Sequence, residues 1–408
     1  MFVEQSVARL WRVRTAFVLL CLFPAVGLVT WAVQRSSAAH RAAVANAAAK
    51  LLGTTVTIEQ LTHPQPGCFR LSGVQIGGTN LPAVEVETTP DEIRLRLETL
   101  TCTPETVPLV VAVIRRWLNE PAGFDRNCVL DIGQLSWGQA ESAADLNRPL
   151  RVECVAAGTG RAVRIFSVGM PADELRIVRT QAEAPGSVPT AERLEVEASL
   201  SQAMPAAIVA AACGELFLGQ WKLGQQALIE GRLQAALAGG HWSGEAAGTI
   251  TQVDLAQMTA SLPNSLEGLA SISVEELVWA GSRLSAVDCV CTAPRGGVDQ
   301  AWLEGLVSIM GCRPATAFRD PLNGGFRDFE RLGCRVTIDA SGVRLRALPQ
   351  QAGCLVESQG LPLVKEPVGE ASLDRLAWLL SGTAPPAVPG TPMTAWLLSV
   401  LPLPRTSR

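Results

Sequence analysis

Three patterns of apolar residues follow one another along this chain. Over 15–33, TAFVLLCLFPAVGLVTWAV, the apolar run contains no charge. Over most of 54–180 and 193–364, apolar and polar residues alternate with the period of two that marks half-buried β-strands. Short stretches spaced three and four apart interrupt these regions and predict helices.

The first run is a membrane-spanning helix. About nineteen residues at ~1.5 Å each reach ~28 Å, close to the hydrocarbon thickness. Its anchor residues are Thr15, Val18, Leu19, Phe23, Val29 and Trp31. Trp11 and Trp31 stand at its two ends, where amphipathic rings settle at headgroup level, and Pro24 is tolerated in such a helix. The run exceeds the ~7–15 apolar residues of a signal peptide, and SSAAHRAA after it is a weak cleavage sequence, so it reads as retained. Arg9, Arg12 and Arg14 precede it against Glu4 alone, which places the N-terminus in the cytoplasm and the body beyond the inner membrane.

Alanine-rich 34–52 continues as a helix that Gly53 closes. Strands then follow at 54–63 and 68–78, joined by the turn PQPG, and at 83–89 and 92–100. PLVVAVIRRWL (108–118) reads as a short helix opening on proline, with a buried strand as the alternative. Strands return at 129–137, 150–157, 161–170 and 174–180. APGSVPT (184–190) is the linker candidate. After a strand at 193–200, 201–217 reads as a helix. Further hairpins run from 222 to 294 around a short helix at 255–262, with helices at 298–312 and 372–380 and a hairpin at 335–348. The apolar end MTAWLLSVLPLP is too short to span a bilayer; it covers a sheet end or dips into a lipid interface. Three segments, 57–63, 131–137 and 273–279, share a β-branched residue, a leucine three places on and a ring five places on, a weak sign of repeated hairpins.

The predicted fold is mainly β with a few helices: one transmembrane helix, then a large twisted antiparallel sheet. The divisions are a cytoplasmic tail (1–14), the anchor (15–33), a linker helix (34–53), an N-terminal β region (54–183), a second β region (191–364), and a helix with a Pro-rich apolar tail (365–408).

Composition narrows the function. A net charge of −4 offers no basic field for nucleic acid. Charged residues are only 18% and hydrophobic ones 48%, beyond what the anchor accounts for, so the body holds either a well-buried sheet or an apolar surface that meets a partner. The 11 cysteines are scattered, many inside apolar strands such as RVECVAA and AVDCVCT. They read mostly as buried free thiols, with one or two bridges allowed in an oxidising compartment.

Catalytic chemistry is thin. His40, His63 and His241 lie far apart in sequence and show no HExxH spacing. There is no GxSxG elbow and no phosphate-binding GxxxxGKS/T, and Gly158-Thr159-Gly160 lacks the third glycine of a dinucleotide loop. Cys289 and Cys291 share a strand face and read as core. No catalytic, metal or cofactor residue is assigned.

Two stretches resemble a known family. The opening helix ending AAKLLG, then TVTIEQLTHPQPGCFRLSGVQIGG, resembles the start of AsmA-like envelope proteins. Residues 228–306 are similar to the C-terminal region of that family, in which Gly-rich strands lead to a short helix, a strand with a late Trp-x-Gly, and a closing helix; 335–364 fits its closing sheet. The motifs are soft patterns of glycine and apolar residues over about half of the body. The resemblance implies a twisted sheet forming an open groove, and a part in phospholipid movement or outer-membrane upkeep. Membrane lipid is then the expected partner. The alternative is a structural module that docks another envelope protein.

Overall fold

The computed structural model describes residues 7–119, 126–138, 148–157, 160–180, 193–213, 222–319, 325–381 and 392–402. A helical stem opens it: α1 (Val7–Phe17), a π turn (Val18–Leu22) and α2 (Phe23–Ser36). Pro24 has no N–H to give the carbonyl four residues back, and its ring crowds that carbonyl. The turn before it widens accordingly, with the Phe23 N–H reaching back to the Val18 carbonyl. Over Trp11–Ser36 the mean hydropathy peaks at 2.3 and nothing is buried, a length and composition that membrane anchors and signal sequences share. The six anchor residues are all exposed, Phe23 at 74%.

The helix does not run on unbroken as expected. Ser37 turns extended and caps α3 (Ala38–Leu52), its hydroxyl accepting from the His40 N–H at 3.2 Å. A serine just ahead of an alanine-rich stretch favours that role over helix interior. Gly53, left-handed at φ +71°, closes α3 as the sequence predicts.

Among the described residues the body is a 21-stranded open sheet. β1 (Val56–Gln65) pairs with β2 (Cys68–Ile76), which pairs in turn with β3 (Thr79–Leu81) and β4 (Val84–Thr88). From β4 the ladder runs in chain order through β5 (Glu92–Cys102), β6 (Asn127–Trp137), β7 (Arg148–Ala157), β8 (Gly160–Ser167), β9 (Met170–Thr180) and β10 (Arg193–Pro205). It continues through β11 (Leu228–Ala238), β12 (His241–Asp254), β13 (Leu266–Ala280) and β14 (Arg283–Ala293). Beyond β14 it skips to β18 (Arg331–Asp339) and β19 (Gly342–Ala347).

The sheet is mixed rather than purely antiparallel, because β5 and β6 pair in parallel. The helix between them, α4 (Val107–Asn119), is the reason. A parallel neighbour needs a crossover long enough to return the chain to the starting end, and α4 supplies it. Thr103 and Thr106 nucleate α4 reciprocally, each backbone N–H bonding the other's hydroxyl at 2.9 and 3.3 Å.

A second departure lies at 201–217. The strand pairing with β11 persists to Pro205, opposite Leu228, and only then does α5 (Ala206–Cys213) begin. Ladder bonds to β11 override the helical propensity of the alanines. The linker at 184–190 and most of the Pro-rich spacer at 384–392 lie outside the described residues.

The closing third folds over one end of the sheet. It comprises α6 (Leu255–Thr259), β15 (Gly296–Asp299), α7 (Gln300–Ser308), β16 (Arg313–Pro314), β17 (Phe326–Phe329), β20 (Cys354–Ser358), β21 (Leu361–Lys365), α8 (Leu373–Ser381) and α9 (Pro392–Val400). The largest buried cluster lies here, with Leu303, Val298, Val253 and Val364 fully enclosed. The apolar C-terminal segment does cover the sheet: Leu397, Val400 and Leu401 are buried, and Arg283 at the head of β14 donates to the Leu401 carbonyl at 3.0 Å. Smaller clusters sit around Val74, Val84, Leu97, Ile132 and Leu135 on β2 and β4–β6, and around Trp117, Leu118, Cys154 and Val163 beneath α4.

Candidate functional site

Residues directly opposite each other in a ladder point to the same face, so the register of successive strands traces rows across the whole sheet. One row starts at Val86 and passes through Leu95, Leu130, Val152, Ile165 and Leu175. It continues through Ala198, Leu233, Ala246, Leu277, Val287 and Ile338 to Val343. Every position is apolar. At ~4.8 Å between strands the row extends about 60 Å.

Parallel rows share that face. Two strand positions away lies Cys128–Cys154–Val163–Ile177–Val196–Ala235–Gly244–Trp279. On the other side run Leu200, Gly231, Gly248, Val274, Cys289 and Val336. All three buried clusters are built on this inner face.

The intervening rows form the opposite, charged face. Arg94, Glu153, Arg164, Arg176, Glu197 and Glu245 belong to a single row there. Cross-strand ion pairs lace it: Arg151 to Asp131 at 2.6 Å, Arg164 to Glu174 at 2.8 Å and Arg335 to Asp288 at 2.8 Å. The guanidinium hydrogen bonds hold Glu174 and Asp288 below the ordinary carboxylate range. A shallow depression of about 400 Å³ opens where Gly231 and Gly248 leave the sheet thin, but Arg232, Ser273 and Glu275 make it polar.

The inner face is covered at its flanks and bare between them. α4 lies across β7–β9, where Arg161 and Arg179 rise from the face and donate to the Trp117 and Leu118 carbonyls at the end of the helix. Those carbonyls have no partner within the helix, and the two cations meet the negative end of its dipole. At the far flank the closing third covers β18, β19 and only one end of β12–β14, around Ile250, Ile272 and Cys291. Between them Leu175, Ala198, Leu233, Ala246, Leu277 and Val287 are half-buried and belong to none of the buried clusters among the described residues. This stretch of apolar face is the candidate site. Alternation within each strand was readable in advance; which strands lie side by side, and at what register, was not.

The structure also tests the singled-out residues. Trp279 lies against Gly244, where an added Cβ would come within 2.5 Å of the indole. Trp137 joins the cluster on β2 and β4–β6, while Trp279 is half-buried and in none of the clusters, so one of the three repeated rings is core. The third, His63, meets a residue far from it in sequence: its ring stacks on His40 of α3 at 5.4 Å and meets Phe69 edge-on at 5.1 Å. Sequence distance concealed this, because α3 folds back along β1. Desolvation, then Arg35 and His40, lower the His63 pKa. All 11 cysteines are free, and burial pushes Cys128 and Cys289 up to about 11 and Cys154, Cys291 and Cys312 up to about 12. Among the described residues no three His, Cys, Asp or Glu side chains converge as metal ligands.

Comparison with known protein families, curated proteins and solved structures returns no match.

Proposed function

We propose that this chain is an AsmA-like, single-pass envelope protein whose sheet receives phospholipid acyl chains on its bare apolar stretch. In this reading the stem stays in the inner membrane with its N-terminus in the cytoplasm, and the body stands on the far side. The role is one of binding and transfer rather than catalysis.

The observation that carries the reading is the transverse row from Leu175 to Val287. Its side chains are apolar across successive strands and only half-buried, on a sheet whose other face carries the charges. Leaving such a surface to water costs about 25 cal/mol per Å², so an occupant that buries it gains that free energy. Acyl chains fit because the stretch offers no charged partner to a polar ligand and runs across the strands as a continuous strip. A helical anchor would bring it to the source of such lipid.

The competing reading is an interaction module in which the same strip seats another envelope protein. A photo-crosslinking residue in the membrane-bound full chain, placed at Leu233 or at the outer-face neighbour Gln234, separates the two. Lipid adducts at 233 and none at 234 are expected. A stoichiometric protein adduct at 233 without lipid would replace the lipid reading with the docking one.

A further inference from the structure

Cysteine is scarce here, 11 of 408 residues, yet twice one cysteine faces another across neighbouring antiparallel strands. Cys128 on β6 is the register partner of Cys154 on β7, and Cys291 on β14 is that of Cys334 on β18. The other strand cysteines face different residues: Cys289, for instance, lies between Val274 and Val336. Directly opposed residues in an antiparallel ladder have Cα atoms ~4.5–5.5 Å apart, inside the ~4.4–6.8 Å that a disulfide spans. Both pairs lie on the inner face, one on each flank of the bare stretch.

We propose that Cys128–Cys154 and Cys291–Cys334 close as two cross-strand disulfides when the body folds outside the cytosol. This rests on the placement given under Proposed function. Each closure takes two electrons and two protons from a pair of thiols and delivers them to the disulfide of a thiol oxidoreductase. That reagent forms a mixed disulfide with one cysteine; the second cysteine's thiolate displaces it, and it leaves as a dithiol. The bonds staple β6 to β7 and β14 to β18, holding the two covered flanks while the strip between them stays free to receive its ligand.

Timing follows from burial. Desolvation raises Cys154 and Cys291 to about 12 and lifts Cys334 well above its ordinary value, so the folded body offers almost no thiolate. Exchange therefore takes place before α4 and the closing third cover the pairs. Cys289 and Cys312 lie close enough to raise Cys334 further, which makes them the mispairing competitors.

The test uses the full chain, extracted from membranes and unfolded in denaturant with N-ethylmaleimide present, digested without reduction and read by mass spectrometry. A reporter fused after Arg408 gives the compartment in parallel. Expected are peptides linked through Cys128–Cys154 and Cys291–Cys334, with maleimide on Cys289 and Cys312. In Cys128→Ser the first link should vanish, Cys154 should carry maleimide after unfolding, and the second link should persist. Maleimide on all four proposed cysteines, with the reporter outside the cytosol, overturns the pairing and leaves the placement standing. A cytosolic reporter overturns both. Links through Cys289 or Cys312 in place of Cys291 also overturn the proposal.

Discussion

Arg161 on β8 lies over the indole of Trp117 on α4, its guanidinium carbon 4.8 Å from the ring centre, and also donates to that residue's carbonyl at 3.0 Å. One side chain thus ties the crossover helix to the sheet twice, by cation–π contact and by capping. Arg161→Met keeps the apolar stem and removes both ties. A loss of about 1–2 kcal/mol of unfolding free energy, read from the shift of the denaturant midpoint, is expected for the detergent-solubilised full chain. Arg176→Met, a similar change on the exposed charged face, should move that free energy by less than ~0.5 kcal/mol. Equal effects would show that the helix tie contributes nothing.

Gly244 is the point where β12 leaves room for Trp279. A Cβ there would stand 2.3 Å from the Gln234 carbonyl oxygen and 2.5 Å from the indole. Gly244→Val therefore displaces the ring or the strand, at a cost of about 1–3 kcal/mol. Gly369→Ala, with nothing within 4 Å of an added Cβ, is the matched control and should leave the midpoint unchanged. An unaltered midpoint in Gly244→Val would mean that the β12–β13 contact is looser than the geometry indicates.

Asp173 gives the fold an acid-side dependence. Burial works against its ionised form, but the Ser201 hydroxyl and N–H, each at 2.6 Å, and Arg148 outweigh this and hold the carboxyl below its ordinary 3.8. A folded value below the unfolded one stabilises the protein in full above the unfolded value, and that contribution is lost as pH falls through the folded one. Urea midpoints of wild type and Asp173→Asn should therefore differ at pH 7 and converge progressively as the pH falls below the ordinary 3.8. A gap that stays constant down to low pH would assign the effect to packing.

The stem is tested by charge. Leu19→Arg with Phe23→Arg puts two cations near the middle of the apolar helix, each disfavoured there by about 2.5–3.5 kcal/mol. The variant should move from the carbonate-resistant membrane pellet to the soluble fraction. A variant that stays in the pellet would place the membrane contact elsewhere in the chain.

Much of the architecture was legible because it rests on local chemistry. The period of two in EIRLRLETL and RVTIDASGVRLRAL, the left-handed closure at Gly53 and the helix opening near Pro108 each depend on residues within a few positions of one another. The rest was set where a distant partner prevailed. Residues 201–205 joined β11 instead of α5, and His63 met a histidine far from it in sequence. β6 came to lie parallel to β5 because α4 carried the chain back between them.

By itself the sequence determined the apolar stem, the β character of the body and the two-faced nature of each strand. Only the tertiary structure decided that the apolar faces of β4 to β14 align into one strip, that its flanks are covered and its middle is bare, and that Cys128 meets Cys154. Alternation constrains a side chain to one of two sides and is set by neighbouring residues. Register and strand order join residues tens of positions apart, and they are settled by the competition of all the ladders and packed faces at once.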